Sequence, residues 1–331
     1  MLALRAVERR FQRGKSSISP QVFIIHFASG DGRFMTSLYR DYDQAGLDVQ
    51  YNARATVPDI WPILKQYETQ SAHARATLVC DIDVAYGDHP DEVLDIFRPA
   101  GTAQGAPVFF FIHGGYWRLL SKNESSGMAP AFTAAGAVVV ALNYSLAPAV
   151  TLDRIVDQTR RALAWVHAHI AQHGGDPARI HVCGTSAGGH LTGMALAHGW
   201  HAEYGVPTDV VRGAAPLSGL FDLRPLPHTH INEWMQLSEA DAIRNSPIDH
   251  LPSQGCPLIV SYGGNETDEF KRQSRDYLTA WQQRGFEGRD VPMPHTNHFD
   301  IVLALNDPAE PLTRAIFDQM GLPPASSHAP A

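Results

Sequence analysis

Cysteine is scarce in this 331-residue chain. Cys80, Cys183 and Cys256 are the three residues, far apart and without a Cys-x-x-Cys pair. That excludes a disulfide scaffold and a cysteine zinc site, and it fits a reducing cytoplasm. No apolar run approaches the ~18 residues of a membrane span, so no membrane partner is expected. Basic residues are in deficit: 26 Lys+Arg face 34 Asp+Glu, a net charge of −8. With no basic stripe either, nucleic acid is excluded as the main partner. There is no internal repeat. What the chain does have is apolar material, 44% of its residues against 18% charged, enough for a large core.

The two ends stand apart. Before a short apolar run over 22–27, Arg5, Arg9, Arg10, Arg13 and Lys15 face the single acid Glu8. This has the look of a leader, but His26 breaks the run, which is too short for a secretory core. Residues 1–34 are therefore expected to be a poorly ordered extension from an upstream start, ahead of a folded domain over 35–322. The Pro- and Ala-rich tail, 323–331, is expected to be disordered.

Between the ends the chain alternates. Asp59, Ile60, Trp61, Ile63, Leu64, Tyr67 and Ala72 have helical spacing, with Pro58 in the first turn. Strands near 78–86 and 93–98 suggest an antiparallel entry to a sheet. Short all-apolar strands at 108–112, 138–142, 180–183, 210–217, 258–262 and around Val291 then alternate with helices. Those helices are expected at 124–135, 153–173, from the 184–188 turn to about 198, at 270–284 and at 301–305. Such alternation predicts a mostly parallel sheet covered on both faces. The stretch between Ser218 and Pro257 is longer than a crossover requires. Ile231, Trp234, Met235 and Leu237 suggest a short helix there, serving as core packing or as a lid over a pocket.

Gly184-Thr185-Ser186-Ala187-Gly188 is the sharpest local signal. It lies between a predicted strand and a predicted helix, where small neighbours let a serine occupy a strained turn and expose its hydroxyl. Ser186 is the candidate nucleophile. His113-Gly114-Gly115-Tyr116-Trp117 follows directly on another strand. Acyl transfer needs preorganised donors where the carbonyl oxygen becomes negative. Gly114, Gly115 and Ala187 could supply them as backbone N–H groups, with His113 as an anchor of the loop. Tyr116 and Trp117 could line the pocket or plug the core.

A serine also needs a base, and the base an acid to orient it. Glu266 and Asp268 stand after the 258–262 strand, while Glu269 belongs to the next helix. His295 and His298 stand after the last strand, and by spacing alone either could reach the serine.

These motifs resemble the α/β-hydrolase superfamily on its hormone-sensitive-lipase-like side, and within it the serine-type kynurenine formamidases (arylformamidases). The likeness covers about 51–305. It rests on His113–Trp117, on Tyr51-Asn52 with Arg54, on Glu266-x-x-Glu269-Phe270 with Arg272-Gln273-Ser274, and on His298-Phe299. Asn143-Tyr144-Ser145-Leu146-Ala147-Pro148 resembles the Tyr-Arg-Leu-Ala-Pro element of the lipase-like families, with Ser145 in place of arginine. Tyr144 joins Tyr116 and Trp117 as a candidate pocket residue. The resemblance favours Glu266 over Asp268 and His298 over His295, although the family normally carries aspartate at the Glu266 position.

The resemblance implies an α/β-hydrolase fold, a mostly parallel central sheet flanked by helices, with a small helical cap from elements near 42–75 and 218–256. It implies a serine hydrolase that removes a small acyl group through an acyl-enzyme, without cofactor or metal. The substrate would be a small ester or amide, of the N-formylkynurenine type of aryl formamide; a carboxylesterase for aryl or short-chain esters would use the same machinery. Two other classes compete with this reading. A metal-dependent amidohydrolase would have His228-x-His230 as a ligand pair, but no His-Glu-x-x-His accompanies it. A non-catalytic relative would be expected to lose a member of the serine, acid and histidine set, and this chain keeps all three in order. Homodimerisation is left open.

Overall fold

The computed structural model describes residues 37–101 and 104–323. The expectations for 1–34 and for the tail beyond Pro323 lie outside the described residues. The chain divides into two units, Met1–Asp43 and Gln44–Ala331. In the first, the described residues form a tight turn across which Tyr39 and Tyr42 pair.

The second unit opens with helices α1 (Gln44–Gln50) and α2 (Trp61–Thr77). Strands β1 (Val79–Ala85), β2 (Val93–Arg98) and β3 (Ala106–Ile112) follow, then helix α3 (Ala129–Ala134), strand β4 (Val138–Leu142) and helix α4 (Leu152–His169). Next come β5 (Gly175–Thr185), α5 (Ala187–Leu196), β6 (Val211–Leu217), α6 (Asn232–Met235) and α7 (Glu239–Arg244). The chain ends with β7 (Leu258–Val260), α8 (Asp268–Gln283), β8 (Gly288–Asp290) and α9 (Pro311–Met320). The strands form one sheet in the order β1-β2-β4-β3-β5-β6-β7-β8. β2 is antiparallel to β1 and β4, and every pairing from β4 to β8 is parallel. The antiparallel entry and mostly parallel body are as expected.

Local chemistry explains these elements. β3 (Ala-Pro-Val-Phe-Phe-Phe-Ile) and β4 (Val-Val-Val-Ala-Leu) are buried along their whole lengths, because helices cover both faces. In α4, Leu152, Ile155, Val156, Thr159, Ala162, Leu163 and Val166 make one buried stripe. Thr151 caps it by accepting the Arg154 N–H, and left-handed Gly174 closes the turn after it. Asp95, fully buried on β2, accepts the Arg75 Nε–H of α2 at 2.9 Å and pairs with the Lys122 ammonium at 2.8 Å. That cluster fastens α2 to the sheet.

Several boundaries differ from expectation. α2 starts at Trp61 with Pro62 in its first turn, not at Pro58; the Asp59 carboxylate accepts the Trp61 N–H instead. The helix expected over 124–135 shrinks to α3, because 122–124 is a 3₁₀ turn. The 301–305 helix is 3₁₀ throughout, over Asp300–Asn306. The last strand ends just before Val291. α9 was not anticipated, although Leu312, Ala315, Ile316 and Met320 are spaced for one face and Pro311 and Gly321 bracket it.

Consecutive parallel strands place their carboxyl ends along one edge of the sheet. The loops after β3, β5, β7 and β8 all emerge there, and they carry the candidate residues.

Candidate active site

Ser186 sits at the turn from β5 into α5 with φ 56° and ψ −117°. A non-glycine residue held there costs on the order of 1–3 kcal/mol, so the surroundings must impose it. The Ser186 N–H donates to the Leu217 carbonyl at 2.8 Å, and the Ser186 carbonyl accepts the His190 N–H at 3.0 Å. Gly188 lets α5 press against the end of β3: a Cβ there would stand 2.0 Å from the Ile112 carbonyl oxygen. The turn therefore aims the hydroxyl upward off the sheet edge.

Ser186 Oγ lies 2.9 Å from His298 Nε2, and His298 Nδ1 lies 2.8 Å from Glu266 Oε2. The other carboxylate oxygen, Oε1, accepts the Ser218 hydroxyl at 2.6 Å and the Gly263 N–H at 2.5 Å. With Nδ1 donating to the carboxylate, Nε2 is left to accept from the serine, the tautomer a general base needs. Ser186, Glu266 and His298 are each 5% exposed, so water competes little for these bonds. The His298 loop is held by an Asx turn, in which the Asn297 side chain accepts the Phe299 and Asp300 N–H groups. The Tyr67 hydroxyl of α2 also donates to the Phe299 carbonyl.

The alternatives lie elsewhere. His295 is exposed on the same loop. Asp268 is exposed in the first turn of α8, where Thr267 rather than Asp268 is the N-cap residue. Buried Glu269 binds the Arg272 guanidinium through both oxygens and accepts the Tyr51 hydroxyl at 2.8 Å.

The glycine loop closes over the serine. A Cβ on Gly114 would stand 3.2 Å from Ser186 Cβ and 2.9 Å from the Thr185 carbonyl oxygen. Among the described residues no backbone acceptor takes the N–H of Gly114, Gly115 or Ala187. The rest of the loop is tied down. Gly115's carbonyl accepts the Arg118 and Leu119 N–H groups, both at 3.0 Å. The Tyr116 hydroxyl donates to the Tyr51 carbonyl at 2.7 Å, and Trp234 Nε1–H donates to the Tyr116 carbonyl at 3.2 Å. His113 donates from Nδ1 to the Gly114 carbonyl and stacks 4.1 Å from Tyr144.

Two candidate pocket residues need correcting. Trp117 and Tyr144 are 0% and 1% exposed and present no surface to the cleft. The Tyr144 hydroxyl donates to the His113 carbonyl at 2.9 Å, and Trp117 packs edge-on against His190. Both are scaffold behind the loop, because their bulk fills the space between β4, α5 and the loop. Tyr116 keeps accessible surface beside half-buried Trp234. In the 218–257 segment Ile231, Met235 and Leu237 are buried, which is the core-packing role, and half-buried Trp234 contacts the glycine loop. Sequence reasoning missed Ser218, Tyr67 and Trp234 as supports of the site. Ser218 alone had a signal, its place just after β6, beside the strand that carries Ser186.

Burial holds His113 and His190 neutral, each with its pKa lowered to about 4, and His181 on β5 is likewise lowered to about 4. A folded pKa below the unfolded value of ~6.5 means that the unfolded chain binds these protons first. Their stabilising effect is complete above about pH 6.5 and is lost as pH falls toward about 4, by about 1.4 kcal/mol per group per pH unit. Urea unfolding midpoints should therefore fall from pH 7 to pH 5. A flat profile over that range would contradict it.

Among the described residues, no three His, Cys, Asp or Glu side chains are grouped to hold a metal ion, and His230 lies against Asp48. No helix among them is long and apolar enough to cross a membrane.

Comparison with known proteins gives consistent neighbours. A family model described as BD-FAE matches residues 94–205. The kynurenine formamidase of Salmo salar is 34% identical, over 82% of this chain and 93% of that protein. The esterase LipQ of Mycobacterium tuberculosis is 29% identical, over 72% of this chain and 62% of its own. A solved structure from Silicibacter sp. tm1040 superposes with a TM-score of 0.70 at 28% identity, covering 82% of this chain and 98% of that one.

Proposed function

This chain belongs to the α/β-hydrolase family that includes kynurenine formamidases and esterases, and from that premise we propose that it is a serine-type arylformamidase. The buried relay from Ser186 Oγ through His298 to Glu266 supports the serine-hydrolase chemistry, and the 34% identity to the Salmo salar kynurenine formamidase over 82% of the chain supports the formamide as substrate.

In the proposed reaction His298 Nε2 takes the Ser186 proton as Oγ attacks the formyl carbon. Gly114, Gly115 and Ala187 donate to the oxyanion, each donor contributing about 3 kcal/mol to the transition state. Glu266 stabilises the imidazolium and keeps the ring in place. Collapse expels the arylamine, which leaves with the proton from His298. Water then attacks the formyl-serine with His298 again as base, releasing formate. An ester would follow the same steps with an alcohol as leaving group. The similarity to LipQ favours that as the second reading.

Parallel assays of N-formylkynurenine and phenyl acetate separate the two. The formamide is expected to have the higher kcat/KM. Hydrolysis of phenyl acetate with none of the formamide would leave the carboxylesterase reading in its place.

A further inference from the structure

Arg118 lies two residues past Tyr116 on the glycine loop, is exposed, and carries its guanidinium 3.9 Å over the Trp234 ring. Among the described residues no carboxylate pairs with it, whereas Arg75, Arg154, Arg224, Arg244 and Arg272 each meet at least one. An indole beneath one face holds the guanidinium flat and leaves its edge N–H donors available, the geometry that takes a carboxylate through two bonds. Trp234 is itself anchored to the loop through the Tyr116 carbonyl.

From Trp234 a row of rings continues to the base. Tyr116 is 6.2 Å from Trp234, Phe270 is 6.5 Å from Tyr116, and His298 is 4.5 Å from Phe270, centroid to centroid. Phe270 is fully buried, so it backs the wall, while Tyr116 and Trp234 offer surface. A chain of ring contacts thus links the base to an unpaired cation.

We propose that Arg118 is a specificity-determining residue that binds a carboxylate carried by the leaving group. The aryl ring of the leaving group lies along Tyr116 and Trp234, and its anionic arm reaches the guanidinium. The inference rests on the serine-hydrolase reading, with Ser186 and His298 at the reacting end. It adds the charge of the substrate, and it holds whether the acyl group is formyl or acetyl. A neutral aryl substrate uses the same wall but leaves Arg118 in water.

The test is steady-state kinetics of wild type, Arg118→Gln and Arg118→Lys on phenyl acetate and on 3- and 4-acetoxybenzoate, with N-formylkynurenine and formanilide alongside. In Arg118→Gln the kcat/KM ratio of anionic to neutral ester should fall about tenfold, the scale of one such pair, through KM rather than kcat. Arg118→Lys should fall between, since it keeps the charge but not the planar fork. In wild type, added salt should raise KM for the anionic esters more than for phenyl acetate. Equal effects of Arg118→Gln on anionic and neutral esters would overturn the proposal. Wild-type hydrolysis of esters but not formamides would overturn the formamidase reading instead, and the ester ratio would still judge Arg118.

Discussion

Replacing Ser186 by alanine should lower kcat by roughly 10⁵–10⁶-fold while the protein stays folded. The turn that holds residue 186 at φ 56° is imposed by its neighbours and tolerates a methyl group as it tolerates a hydroxymethyl. Alanine removes the atom that forms the acyl-enzyme and the hydrogen bond to His298 Nε2, and nothing else. The same logic predicts that an organophosphate labels the wild type covalently at Ser186. Peptide mass spectrometry should find the adduct there, and circular dichroism of the variant should match the wild type. An adduct on another residue, or full turnover by the variant, would remove Ser186 from its assigned role.

Glu266→Gln should cut kcat by about 10⁴-fold. Glutamine preserves the shape but reverses part of the hydrogen bonding. Its oxygen can still accept from Ser218 Oγ and the Gly263 N–H, which turns its NH₂ toward His298 Nδ1. Nδ1 must then accept, so the proton moves to Nε2, where it blocks uptake of the serine proton. The imidazolium also loses its counter-charge. Asp268→Asn is the control two residues away. Asp268 is exposed in the first turn of α8, so its loss should cost about 0.3–1 kcal/mol of helix-dipole stabilisation and leave turnover intact. The comparison needs only kcat and a denaturation curve for each variant. Loss of turnover in Asp268→Asn with an active Glu266→Gln would reverse the assignment.

The sequence by itself was enough where a few adjacent residues determine the conformation. A run such as Val138–Leu142 can only be a strand covered on both sides, and α4 carries its cap, its stripe and its closing glycine within one segment. The turn at Ser186 is partly of the same kind: a Cβ on Gly184 would meet the Gly188 carbonyl within the same five residues, whereas Gly188 itself answers to Ile112 of β3. α9 is of this kind too, with Pro311 opening it, Leu312, Ala315, Ile316 and Met320 on one face and Gly321 closing it. Choices between chain neighbours needed the tertiary structure. His295 and His298 differ in the Asx turn of Asn297 and in the Tyr67 hydroxyl, which donates to the Phe299 carbonyl from 232 residues away. Glu266 and Asp268 differ in whether a serine 48 residues away points at the carboxylate. Tyr116, Trp117 and Tyr144 have similar side chains, yet only the packing of β4, α5 and the loop buries two of them and leaves the third accessible. Hydrophobic spacing and steric limits are written along the chain, whereas burial and hydrogen-bond partners depend on which distant segments the sheet order brings together.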